Sequence, residues 1–194
     1  MKFFPAHSLV RRPWKNGGGE TMEIAASPLG ATMDHFNWRL SMAIVASDGA
    51  FSTFTNIDRT LTVLEGGPMI LSLKGGVEIT LDSQSAPLSF AGDLPVSARV
   101  LGFPVRDLNI MTRRGVFSHR VTPMVLLHEQ RTIAASAPFF LISRSDDITL
   151  STHSGENHLS KYDTAFFDEA ETGQVKMKSS GHAVILLVEI FACG

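Results

Sequence analysis

Apolar and polar residues alternate in short runs along nearly the whole chain, and a period of two leaves little room for helix. Runs at 20–26, 37–46, 59–64, 69–73, 77–81, 96–103 and 107–112 each fit one strand. Further runs follow at 121–127, 139–143, 148–151, 164–167, 174–178 and 182–191, with Gly, Pro, Asn and Asp between them. Gly66-Gly67-Pro68 and Gly75-Gly76 have the composition of hairpin turns. Strands this short at this spacing predict an all-β sandwich or barrel. The 194 residues suffice for one substantial domain or two small ones packed as a unit, and no Pro/Ser/Gly-rich linker divides them.

The run 37–46 is the most informative strand. Trp38, Leu40, Met42 and Ile44 fall on one face, and Arg39, Ser41, Ala43 and Val45 on the other. A face that begins Arg-Ser and ends Ala-Val suits a barrel lining with a wet mouth; the alternative is a solvent-facing Arg39 at a strand end. The run 107–112 repeats the pattern. Asp107, Asn109 and Met111 share a face with Arg113, opposite Leu108 and Ile110. If buried, Asp107 and Asn109 need partners, for which Arg39 and Arg59 are candidates; a solvated edge strand would look the same. Asp58 and Arg59 are neighbours and cannot share a strand face, which fits one pointing inward and the other away; a surface ion pair or a turn cap is the alternative for each. The planar fork of arginine makes Arg59 the better carboxylate binder.

A second polar feature precedes the first strand, Trp14-Lys15-Asn16-Gly17-Gly18-Gly19-Glu20-Thr21. Three glycines can turn several N–H groups toward one point, Lys15 adds a compact positive charge, Asn16 an amide and Trp14 a flat apolar wall. These parts suit a small carboxylate, or else a flexible surface turn. A phosphate loop is a poor fit, because Lys15 precedes the glycines and a strand follows them. Nor does a G-x-G-x-x-G open a helix.

A net charge of −2 gives no electrostatic draw for nucleic acid. The apolar run 183–188 is much too short to span a bilayer, and no export signal opens the chain, so no membrane partner and a cytoplasmic location are expected. The single cysteine, Cys193, fits a reducing compartment. Seven scattered histidines include no H-x-H or H-E-x-x-H pair; His153 and His158, with Glu156 between them, come nearest. No Cys–His or Gly-x-Ser-x-Gly nucleophile arrangement is present. Binding groups are clearer than catalytic ones, and the sequence leaves oligomerisation open.

Taken in order, Pro13 through Gly19, Trp38-Arg39-Leu40-Ser41, Phe51-Ser52-Thr53-Phe54, Asp58 through Gly66 and Asp107 through Met111 resemble the HutD/Ves family over roughly the first 115 residues. The resemblance implies a cupin-type fold with two small β-barrels as a bicupin, divided into residues 1–114 and 115–194, the first holding the ligand site. It implies an accessory or regulatory protein of histidine utilisation that senses a small acid such as urocanate, formylglutamate or formate. Ves-like members are associated with stress or cold response instead. The implied site comprises Trp14, Lys15, Asn16, Gly17 and Gly18, with Trp38, Arg39, Ser41 and Phe54, then Asp58, Arg59, Asp107, Asn109 and Met111. Metal cupins carry an H-x-H pair where this chain has Asp58-Arg59-Thr60, so neither a metal nor another cofactor is expected. The alternative is a metal-independent isomerase or lyase using Asp58, Asp107 or Glu65 as general acid/base. A carboxylate held beside arginines is expected to have a lowered pKa and to be a weak base, which favours binding.

Overall fold

The computed structural model describes residues 1–128, 130–134, 138–168 and 174–194. The chain begins with β1 (Lys2–Phe4), a 3₁₀ turn at Ala6–Ser8, β2 (Arg11–Pro13), β3 (Gly19–Ser27) and β4 (Trp38–Val45). It continues through β5 (Gly49–Ala50), β6 (Ile57–Glu65), β7 (Met69–Leu73), β8 (Val77–Leu81), β9 (Leu88–Ala91) and β10 (Val96–Val100). Next come β11 (Val105–Arg113), β12 (Phe117–Leu127), β13 (Arg131–Ala134), β14 (Phe139–Ser143) and β15 (Ile148–Thr152). The last strands are β16 (Gly155–Leu159), β17 (Thr164–Phe167), β18 (Gln174–Ser179) and β19 (His182–Ala192). The protein is all-β, as the alternation requires. Strands β1, β2, β5, β9, β13 and β16 escape sequence detection: the first five have only two to four residues, too few for most to establish a period, and β16, Gly-Glu-Asn-His-Leu, is polar along nearly its whole length and reads as a loop. The run 96–103 ends early, since Gly102 turns the backbone at φ +87°.

Two compact units form. One comprises Val10–Ser118 with Cys193–Gly194, the other Met1–Leu9 with His119–Ala192, so they are not consecutive halves of the chain. The first nine residues join the later unit because β1 pairs with β17, Lys2 opposite Phe166 and Phe4 opposite Thr164. The Ala6 N–H also donates to Asp163 Oδ1 at 2.8 Å.

In the 10–118 unit a six-stranded sheet, β2-β3-β4-β11-β6-β9, accompanies a four-stranded one, β5-β10-β7-β8. The core lies between them: Val45, Leu61, Val63 and Val105 from the larger sheet meet Met69, Leu71, Val96 and Ala98 from the smaller. The 119–192 unit repeats the plan with β1-β17-β14-β19-β12 and β13-β18-β15-β16. There Phe139 and Phe167, directly paired, stack with ring centroids 4.7 Å apart over a core that includes Leu150 and Met177. Among the described residues these sheets do not close into the barrels anticipated from the sequence. Strands of two to four residues at several edges, with Pro13 at one of them, end the pairing instead.

Two irregularities interrupt the larger sheet. The β3–β4 register shifts between Glu23 and Ala25, and the β11–β6 register between Arg106 and Asp107. Bulges of this kind re-aim the side chains beside them.

Candidate functional site

Pairing arranges one face of the larger sheet in rows. Thr21, Ala43, Asp107 and Val63 form the first row; Glu23, Ser41, Asn109 and Leu61 form the second. In the third, Ala26, Arg39, Met111, Arg59 and Phe90 stand side by side. Towards Val45 and Val63 the face is apolar and packs into the core. Towards the other end the polar residues border a cavity of about 550 Å³. The half-polar, half-apolar character read from 37–46 is therefore real, and Arg39 is buried rather than solvent-facing.

Ten of the residues expected at the site border this cavity. The loop before β3 supplies Trp14, Lys15 and Asn16; β4 supplies Arg39 and Ser41; β6 supplies Arg59. Strand β11 contributes Asp107, Asn109 and Met111, and the connection after β5 contributes Phe54. Four others stand elsewhere. Trp38, opposite Ser27 and Thr112, lies on the other face of β4. Asp58 points away from Arg59, and its Oδ1 accepts from Arg114 Nε at 2.9 Å and Nη2 at 2.8 Å. Gly17 and Gly18 have already committed their N–H groups, to the Trp14 carbonyl and to Asn16 Oδ1, both at 3.0 Å. The glycines shape a turn; they do not present donors to a ligand. Gly19 explains the run best, because a Cβ there would stand 2.3 Å from the Ile44 carbonyl and 3.1 Å from the Trp14 ring. Trp14 is then fixed by its indole N–H, which donates to Thr21 Oγ1 at 2.7 Å.

The two cavity arginines are held differently. Arg39 Nε donates to Glu23 Oε2 at 2.7 Å, and its Nη1 reaches Ser41 Oγ at 3.4 Å. Arg59 Nη1 donates to the Ser52 carbonyl at 3.1 Å. Its guanidinium lies 5.4, 5.6 and 5.1 Å from the ring centres of Phe51, Phe54 and Phe90, a cation–π enclosure on three sides. Burial lowers the Arg59 pKa to about 10, with Asp107 opposing the shift and Arg39 adding to it. Neither arginine bonds the Asp107–Asn109 stripe in the way the sequence suggested. Arg59 Nε, Asp107 Oδ1 and Asn109 Oδ1 are all buried and, among the described residues, have no hydrogen-bond partner.

Asp107 reverses one expectation. Burial pushes its carboxyl up to about 7, although Arg59 pulls the other way. Desolvation outweighs the neighbouring positive charge, so this carboxylate is not the weak base anticipated beside arginines.

Glu23, Phe51 and Ser52 also border the cavity and were not singled out from the sequence. Glu23 was detectable: in the 20–26 run it alternates with Met22 and Ile24, on a polar face that a neighbouring Arg39-Ser41 strand would share. Phe51 belongs to a motif already noted; it packs against the core of the unit and carries the Arg59 guanidinium over its ring.

The cavity does not fit a divalent cation. Its walls carry the cations Arg39, Arg59 and Lys15, and the Glu23 carboxylate is taken by Arg39. Among the described residues no three His, Cys, Asp or Glu side chains gather to hold a metal.

Paired sheets enclosing a polar cavity place the molecule among all-β proteins of cupin-like fold. A solved cupin 2 conserved barrel domain protein from Leptotrichia buccalis matches it with TM-score 0.66 at 10% identity, over 98% of this chain and 96% of that one. The chain belongs to the HutD family, whose model matches residues 6–185. It is 43% identical to Protein Ves of Citrobacter koseri over 115 residues, 59% of either chain. It is 40% identical over 111 residues to an "Uncharacterized 21.2 kDa protein in hutC 3'region" of Pseudomonas putida, 57% of either chain. Those matches thus span less than two thirds of the relatives' lengths. The structure of HutD from Pseudomonas fluorescens SBW25, in a formate condition, matches with TM-score 0.83 and 28% identity over 100% of this chain and 99% of that one.

Proposed function

We propose that the 10–118 unit binds a small organic acid in this cavity, and that the protein serves histidine utilisation as an accessory or regulatory factor without a cofactor. The observation that carries the reading is Arg59, a buried guanidinium with Nε unpartnered, walled by aromatic rings at the cavity. In such a setting a carboxylate gains charge-assisted hydrogen bonds strengthened by the low dielectric. The pathway assignment rests on the family and on the hutC-region relative. Urocanate, formylglutamate and formate are the candidate ligands. We read both units as cupin-type, and the protein as cytoplasmic with no nucleic-acid or membrane partner; among the described residues no helix is long and apolar enough to cross a membrane.

Calorimetric titration of the three acids tests the reading, with Arg59→Lys and Arg59→Ala beside the unsubstituted protein. Loss of a buried charge contact costs about 2–5 kcal/mol, so Arg59→Ala should weaken the best ligand roughly 30- to several-thousand-fold. Lys keeps the charge without the fork and should fall between the two. Undiminished affinity in a folded Arg59→Ala protein would remove Arg59 as the anchor.

Asp107 favours a second reading, a metal-independent isomerase or lyase. A buried carboxyl with a pKa of about 7 is suited to general acid/base work at neutral pH. Asp58 and Glu65 have lost that role, the first to Arg114 and the second to Arg106, whose Nε donates to Glu65 Oε1 at 3.0 Å. Following the acids by NMR over hours decides it: unchanged spectra leave binding alone, and turnover abolished by Asp107→Asn establishes catalysis.

A further inference from the structure

The three unpartnered atoms at the cavity are not of one kind. Arg59 Nε–H is a donor, whereas Asp107 Oδ1 and Asn109 Oδ1 are acceptors. Their residues are 5%, 1% and 7% exposed and border the same cavity. Along the sheet they occupy successive rows, Arg59 beside Met111, Asn109 one row on and Asp107 the next, roughly 7 Å per row.

A bare carboxylate answers only the donor. Its oxygens accept hydrogen bonds and offer nothing to Asp107 or Asn109. Each buried acceptor left unpaired lowers affinity by roughly 5- to 100-fold. An anion drawn in by Arg59 also meets the charge of Asp107. We infer that the site is built for a carboxylate that carries its own hydrogen-bond donor, an amide or imidazole N–H, and that Asp107 and Asn109 are the residues that select it. This rests on the binding reading above and narrows it: acids with an N–H are preferred, and formate-like anions are poor ligands.

A second consequence separates the two kinds of acid. The charged groups bordering the cavity with Asp107 are Arg59 on β6, Arg39 on β4, Glu23 on β3, Arg12 on β2 and Lys15 in the loop. With the carboxyl of Asp107 titrating near neutrality, an acid that lacks a donor selects the protonated form, in which Asp107 itself donates. Such an acid binds with uptake of a proton and tightens as pH falls from 8 to 6. An acid bearing an N–H engages the ionised form, so as pH falls towards 6 its binding releases the proton that Asp107 carries in the free protein.

Two pairs of probes test this by calorimetry at pH 8 and pH 6, in buffers of different ionisation enthalpy. Urocanate is set against 3-(2-furyl)acrylate, which replaces the ring N–H by oxygen, and N-formyl-L-glutamate against glutarate, which lacks the amide. The N–H member of each pair that binds should be tighter by about tenfold or more at pH 8. Its partner should show proton uptake and close part of the gap at pH 6. In Asp107→Asn, which keeps the shape and removes the charge, that uptake should vanish and the gap at pH 8 should narrow. Equal affinities within each pair for the unsubstituted protein overturn the inference and leave the carboxylate reading standing. A gap unchanged by Asp107→Asn overturns the assignment to Asp107. Failure of all four probes to bind overturns both readings together.

Discussion

Asp107 links the site to stability. Its pKa is about 7 in the folded protein against 3.8 for an ordinary aspartate, so between those values the folded state holds a proton that the unfolded chain has released. A raised carboxyl pKa supports the fold below pH 4, and that support is lost as pH rises through 7, amounting to about 4 kcal/mol. Asp107→Asn should therefore gain stability relative to the unsubstituted protein between pH 5 and pH 8, as read by urea unfolding; parallel curves would place the carboxyl pKa near its ordinary value. Asn109 gives a complementary test. Since its Oδ1 has no partner among the described residues, Asn109→Leu strands none of them and should hold stability within roughly 1 kcal/mol or raise it, while N–H-bearing acids bind less well. A loss of several kcal/mol would mean that the amide is structural. Much of this set was legible in the sequence, because alternation alone puts Asp107, Asn109 and Met111 on one face. The partners were not: that Arg39 engages Glu23 follows from the pairing of β3 with β4, Glu23 opposite Ser41, and the sequence does not show which strands pair or in what register.

At the scale of strands and turns, the Trp14–Gly19 loop teaches a different lesson. A triple glycine beside a lysine reads as an anion cradle, yet its N–H groups close the turn and Gly19 lets β3 begin against β4. Gly19→Ala would press a Cβ against the Ile44 carbonyl, a backbone atom that cannot swing aside, and should cost more than about 2 kcal/mol in a denaturation series. A cost below roughly 0.5 kcal/mol would show that the strands can part there freely. The long strands β4, β6 and β11 were readable because each exceeds four alternating residues. Their adjacency in the order β4-β11-β6 was not, since it joins segments over forty residues apart, for which the sequence carries no periodic sign.

At the scale of the molecule, the chain threads back on itself. Sequence composition marks no linker, and the two units divide by long-range pairing rather than by position. Removing residues 1–9 should bare the β17 edge and lower protection of the 119–192 unit in hydrogen exchange, while the 10–118 unit keeps its cavity and its affinity for acids. Equal loosening of both units would contradict that separation. The same threading sets an order of events during synthesis. Strand β1 emerges with an exposed Phe3 well before its partner β17, which follows about 160 residues later, roughly 8–30 s at ordinary elongation rates. In that interval almost all of the 10–118 unit is already available to fold. Strand β1 thus stays unpaired on the ribosome while the 10–118 unit becomes native, and a slowed ribosome prolongs the exposure of that one apolar strand.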